Sequence, residues 1–199
     1  MINVILSQDQ LRGALYHAQL NCGQGIGGMK SQIHASPQRR QRMGVDQATG
    51  QVAMCAVAKY LHGDADKYFT TRFFRNLDPN ISDGGYDLGC ANIDVKGGFM
   101  RFSSDPQDYS LLVRPREVHE NWVYIHCLIH HTNEDPKTWV TTPPTITITG
   151  WAASDDLPTT PIADGPLKGA LAIPVPKLNP LPPIRYDWFH HGFVAREDS

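Results

Sequence analysis

The chain has 199 residues, 19% of which are charged, and its formal net charge at pH 7 is -2. This length allows a single domain, 1–199, with a substantial core, and the charge argues against a basic protein that coats nucleic acid without specificity. Nowhere do eighteen apolar residues run together, and no leader pattern opens the chain, so we expect no membrane segment and a cytoplasmic location. The cysteines are widely spaced, as is typical of reduced thiols: Cys22, Cys55, Cys90 and Cys127.

The first predicted element is an amphipathic helix over 7–21. Ser7 suits its N-cap, and apolar residues recur after it at helical spacing. Segment 23–44 then changes to glycine and basic residues, and Pro37 predicts that no helix runs through it. Such a run of basic residues is more often a solvated loop. The functional alternative is a segment that contacts a phosphate backbone. The candidate nucleic-acid-binding residues of this segment are Lys30, Arg39, Arg40 and Arg42.

The strongest helix signal spans 46–62. Small and apolar residues cover two of its sides, one of which carries Gln51, and Gly63 supplies the end. Segment 68–74 follows and is aromatic and β-prone.

Alternating patterns then predict strands at 109–114, 122–130 and 145–151. A Pro-rich tail over about 158–199 is expected to wrap the core, with one edge strand near 171–175. This order of elements indicates a mixed α/β, or α+β, domain.

The most informative stretch lies between the second helix and these strands. Ile93 and Val95 fit the core side of a short strand, so Asp94 and Lys96 share its other face. The turn-forming residues 89–92 can fold the chain back and bring Asp87 beside Asp94. Two carboxylates placed in this way suit Mg²⁺ or Mn²⁺. The structural alternative is that Asp87 caps its own backbone in a turn and that Lys96 is a surface partner of Asp94.

Other residues that could take part in catalysis or metal binding fit structural roles better. The triplet Asp135-Pro136-Lys137 has the same acid-X-Lys spacing, but it lies in a loop without a partner acid. Strand alternation sends His126 and His130 to one face and Cys127 and His131 to the other, so these four cannot share a tetrahedral zinc site. The aromatic segment 186–191 is expected to dock on the core or on a partner subunit.

Three motifs in this order resemble the PD-(D/E)XK nuclease superfamily, and in particular its small members encoded by tailed phages. They are the helix around Gly50-Gln51, then Tyr86-Asp87-Leu88-Gly89, and then Ile93-Asp94-Val95-Lys96. A later strand ending in Gly150-Trp151 is also similar to those proteins. The resemblance covers about 44–157.

This resemblance implies a restriction-endonuclease-like core, with a central mixed sheet flanked by helices. Asp87 and Asp94 would bind the metal, helped by the backbone carbonyl of Val95. Lys96 would orient or deprotonate the attacking water and stabilise the transition state. Gln51 stands where the family often has a glutamate, and it could add an uncharged amide ligand.

Two functions therefore compete. The first is a divalent-metal-dependent nuclease that hydrolyses DNA phosphodiester bonds in the cytoplasm of a phage-infected host. The second is a protein that keeps the nuclease fold without catalysis and binds nucleic acid or a host protein. A third hypothesis is an assembly protein that forms homo-oligomers through its aromatic tail.

Overall fold

The computed structural model describes residues 1–24, 37–66, 68–70, 92–165, 167–181, 184–187 and 192–195. At the element ends 22–24, 37–41, 184–187 and 192–195 it gives the backbone alone. In chain order the strands and helices are β1 Ile2–Val4, α1 Gln8–Gln24, α2 Pro37–His62, β2 Ile93–Phe99, β3 Ser110–Val113, β4 Val123–His130, β5 Thr145–Ala153, β6 Leu171–Pro174, β7 Ile184–Asp187 and β8 Gly192–Ala195.

The first helix begins where its sequence predicts. The Ser7 hydroxyl accepts a hydrogen bond from the Gln10 amide at 3.2 Å, and the Gln10 side chain accepts one from the Ser7 amide at 3.0 Å. This reciprocal pair is a capping box, which satisfies two of the amides that a helix start leaves without a partner. The N-cap prediction at Ser7 is confirmed.

The second helix is longer than predicted. It begins at Pro37, so the expectation that this proline breaks any helix was wrong. Proline is well suited to the first helical turn, because the amide that it lacks would have no partner there. Helix α2 ends as predicted before Gly63, whose φ of +82° few other residues adopt. Residues 68–70 are helical although their composition is β-prone, and 71–74 lie outside the described residues.

A mixed four-stranded sheet has the order β1-β5-β4-β2. Strand β2 runs parallel to β4, with Asp94 opposite Tyr124 and Lys96 opposite His126. Strands β1 and β4 are both antiparallel to β5, and the register shifts after His126. The four strand predictions at β3, β4, β5 and β6 are confirmed. So is the coarse class, a mixed α/β protein whose mixed sheet lies against helices.

The two faces of this sheet carry different cores. Helix α2 covers one face, where Ile93, Val95 and Phe99 of β2 are buried, and α1 packs on α2 in the same core. The other face meets the small antiparallel sheet of β3 and β6, which buries Trp122 and Tyr124. Among the described residues, no helix combines the length and the apolar character needed to cross a bilayer.

The described part of the Pro-rich tail packs on the sheet at Gly150 and Trp151 of β5. A Cβ on Gly150 would lie 2.7 Å from the Asn179 carbonyl oxygen, so only glycine admits this approach. Trp151 and Asn179 exchange two backbone hydrogen bonds of 3.0 and 2.9 Å, and the Trp151 indole donates to the Pro180 carbonyl. Strands β7 and β8, which pair as an antiparallel hairpin, were not predicted.

Candidate functional site

Asp94 and Lys96 meet on the face of β2 turned away from the helices. The Lys96 Nζ atom lies 2.8 Å from Asp94 Oδ2, within an ion pair. Ile93 and Val95 fix this arrangement because their burial under α2 forces the alternate side chains to the other face. The prediction that Asp94 and Lys96 share one face of the strand is confirmed.

A second carboxylate, which the sequence did not point to, completes the group. Glu117 Oε2 also lies 2.8 Å from Lys96 Nζ. Glu117 ends the 3₁₀ turn Pro115–Glu117, in the connection between β3 and β4. The side chains of Asp94, Lys96 and Glu117 are 11%, 21% and 32% exposed, so the three form a partly buried cluster that solvent reaches.

The buried tyrosine of β4 holds this turn in place. The Tyr124 hydroxyl donates to the Glu117 carbonyl oxygen and accepts from the His119 amide, both at 2.9 Å. Tyr124 is fully buried and stands opposite Asp94 in the parallel register. The turn that carries Glu117 is therefore anchored to the strand beside the one that carries Lys96.

Charge in the cluster favours the ionised forms. Burial works to lower the pKa of Lys96, but Asp94 and Glu117 outweigh it and raise that pKa above its usual value. Burial likewise works to raise the pKa of Glu117, while Lys96 and then Arg114 bring it below its usual value. The Arg114 guanidinium lies 3.7 Å from Glu117 Oε1. Lys96 is therefore a cation at neutral pH.

The remaining predicted site residues lie elsewhere or outside the described residues. Asp87 is outside them, so its expected approach to Asp94 stays a prediction, as does a role for the Val95 carbonyl. Gln51 lies on α2 and accepts a hydrogen bond of 3.0 Å from the Tyr68 hydroxyl. Since α2 covers the opposite face of β2, the described contacts do not bring Gln51 to Asp94.

The basic residues predicted to contact a phosphate backbone are not found beside the Asp94, Lys96 and Glu117 cluster in the described part of the chain. Lys30 lies outside the described residues. Arg39, Arg40 and Arg42 belong to the first turns of α2 rather than to a loop, and of these three only the Arg42 side chain is described. It is exposed, on the helix that packs against the other face of β2.

Asp94 and Glu117 carry carboxylate oxygens, the ligand type that hard divalent cations prefer. Two carboxylate oxygens from separate elements approach one point, which the Lys96 ammonium group occupies. Together the three side chains carry a net charge of about -1, which attracts a cation. Within the described ranges, no three His, Cys, Asp or Glu side chains are grouped as a metal site.

The competing motifs take structural roles. Asp135 caps a 3₁₀ turn by accepting from the Lys137 amide at 3.0 Å, and no ion pair joins these two side chains. His126 is buried beside Thr149, with 2.7 Å between Nδ1 and the hydroxyl oxygen, and burial lowers the pKa of His126 to about 4. A neutral, buried histidine of this kind supports the predicted structural role.

Comparison of the chain with protein-family models, with curated proteins and with solved structures finds no match.

Proposed function

We propose that this protein is a divalent-metal-dependent nuclease that hydrolyses DNA phosphodiester bonds, built on a restriction-endonuclease-like core of the PD-(D/E)XK superfamily. The observation that carries the proposal is the 2.8 Å pair between Asp94 and Lys96 on one face of a strand that pairs in parallel with its neighbour. The pair places a metal-binding carboxylate and a permanent cation within reach of the same phosphate group.

Asp94 is the described residue best placed to hold the metal, with Asp87 and the Val95 carbonyl as its proposed partners. A Mg²⁺ or Mn²⁺ ion bound there would polarise the phosphate and lower the pKa of a coordinated water. Lys96 acts on the anionic oxygens of the phosphate, where negative charge builds up as the bond to the attacking oxygen forms. Because Asp94 and Glu117 raise the pKa of Lys96, stabilising charge suits this lysine better than removing a proton from water.

The first test of this function uses DNA of several structures. Linear, circular, branched and single-stranded DNA are incubated with the purified protein in Mg²⁺ or Mn²⁺, and products are resolved by gel electrophoresis. Wild type should cut at least one substrate, and Asp94→Ala and Lys96→Met should be inert. Lys137→Met, in the second acid-X-Lys triplet, is the matched control and should cut like wild type. If wild type and Asp94→Ala are equally inert on every substrate, the nuclease proposal fails.

A second candidate function is DNA or host-protein binding on a nuclease fold without catalysis. Two observations favour it. Asp94 and Glu117 both form ion pairs with Lys96, and Gln51, at the position where the resembled family often has a glutamate, accepts a hydrogen bond from Tyr68. Calorimetry with Mn²⁺ separates the two functions. Heat of binding that disappears in Asp87→Ala and Asp94→Ala supports the nuclease, whereas no metal binding together with DNA binding supports the second function.

A further inference from the structure

Lys96 is held from two directions, and only one of them comes from its own strand. Asp94 precedes it by two positions on β2, whereas Glu117 approaches from the 3₁₀ turn that follows β3. Both oxygens lie 2.8 Å from Nζ. An ammonium group has three N–H donors, so one remains, and the described part of the chain offers it no acceptor.

The position of Glu117 does not depend on its own carboxylate. Its backbone is fixed by the Tyr124 hydroxyl, which donates to its carbonyl oxygen at 2.9 Å. Its amide donates to the Arg114 carbonyl oxygen at 2.8 Å, which closes the turn. A change confined to the end of the Glu117 side chain should therefore leave the turn intact and alter its contacts with Lys96 and with Arg114, whose guanidinium is exposed and lies further away, at 3.7 Å.

An ion pair with Asp94 alone would leave Lys96 free to rotate. Four rotatable bonds separate its ammonium group from the backbone, and fixing such a long side chain costs conformational entropy. A second carboxylate at an independent point restricts that rotation and directs the third N–H. Fixing a charged group before the substrate arrives is a main source of catalytic rate enhancement.

We propose that Glu117 is a positioning residue, which fixes the Lys96 ammonium group between two carboxylates so that its third N–H points to the substrate phosphate. This inference rests on the proposed nuclease function and adds a residue to its site. Glu117 acts through Lys96 and need not touch the DNA. The role predicts a loss in kcat with a smaller change in KM, because DNA binding depends on many other contacts.

The test compares three variants. Glu117→Gln removes the charge and keeps the shape, and we expect kcat to fall by about 10- to 100-fold, as for a misplaced catalytic group. Glu117→Asp keeps the charge on a shorter arm and should recover part of that loss. Glu120→Gln is the matched control, since Glu120 lies three positions later, is exposed and forms no ion pair with another described residue, and it should behave as wild type.

A second measurement does not depend on cleavage. The motional order of the Lys96 ammonium group is obtained from ¹⁵N relaxation of its N–H signals, in wild type and in each variant. Glu117→Gln should lower this order clearly, and Glu120→Gln should leave it unchanged. Equal order in wild type and Glu117→Gln overturns the positioning role, whatever the protein does to DNA. Inert wild type with reduced order in Glu117→Gln overturns the nuclease function and leaves the positioning of Lys96 by Glu117 supported.

Discussion

Gly97, the residue after Lys96, packs closely against α2. A Cβ there would lie 3.0 Å from the Ala53 Cβ, 3.0 Å from the Thr49 carbonyl oxygen and 3.2 Å from the Gly50 Cα. These distances are shorter than ordinary van der Waals contacts, so the helix would have to withdraw by a few tenths of an ångström. Two of the three atoms belong to the backbone and cannot rotate away. We expect Gly97→Ala to lower the free energy of unfolding by about 1–3 kcal/mol.

Gly50 provides the matched control on the facing helix. A Cβ on Gly50 meets nothing within 4 Å, and this glycine lies inside α2. Alanine is favoured over glycine in a helix interior by about 0.5–1 kcal/mol, so Gly50→Ala should raise the free energy of unfolding. Glycine-to-alanine substitution on the two sides of this contact is thus expected to change the free energy of unfolding in opposite directions.

Urea denaturation followed by circular dichroism measures both effects. The free energy of unfolding is extrapolated linearly to water, and similar slopes in the three proteins would show that the unfolded states are comparable. A Gly97→Ala protein as stable as wild type would refute the close packing of α2 on β2. In that case Ala53 and Thr49 could not fix the strand that carries Lys96.

Two further predictions concern the sheet and its tail. Burial lowers the pKa of His126 from 6.5 to about 4, so the unfolded chain takes up a proton at a higher pH than the folded one, and stability should fall by about 3 kcal/mol as pH drops from 6.5 to 4. Denaturation of wild type and His126→Gln at several pH values checks this, since the variant should lose that pH dependence; equal slopes would contradict it. Gly150→Ala should cost about 1–3 kcal/mol and speed proteolysis within 167–181, because its Cβ would lie 2.7 Å from the Asn179 oxygen and 2.8 Å from the Leu178 Cβ. Unchanged digestion would show that the tail does not depend on this contact.

The strands could be predicted from the sequence because alternating burial along a strand is a local pattern. In β4, Ile125, Cys127 and Ile129 belong to the core under the helices and Tyr124 to the core on the other face, and this period of two is visible in the sequence alone. The same reasoning placed Asp94 and Lys96 on one face of β2. The start of α2 was missed because proline both breaks helices and begins them, and the sequence around Pro37 does not distinguish these roles.

Glu117 could not be found in the same way. Its contact with Lys96 spans 21 positions and depends on how the connection between two parallel strands crosses the sheet. No spacing rule links a residue in such a connection to a particular strand position. The only local hint was Pro115, which favours a turn at the end of β3.

The pairing of β1 with β5 has a consequence for the order of folding. The Thr147 hydroxyl donates to the Asn3 side chain across 144 positions, whereas β2 and β4 are joined by a much shorter connection. Closing a longer loop costs more chain entropy and tends to occur later. The strands that hold Lys96 and Tyr124 can therefore assemble first. Fraying of β1 then exposes an edge of β5 and leaves the pairing of β2 with β4 intact.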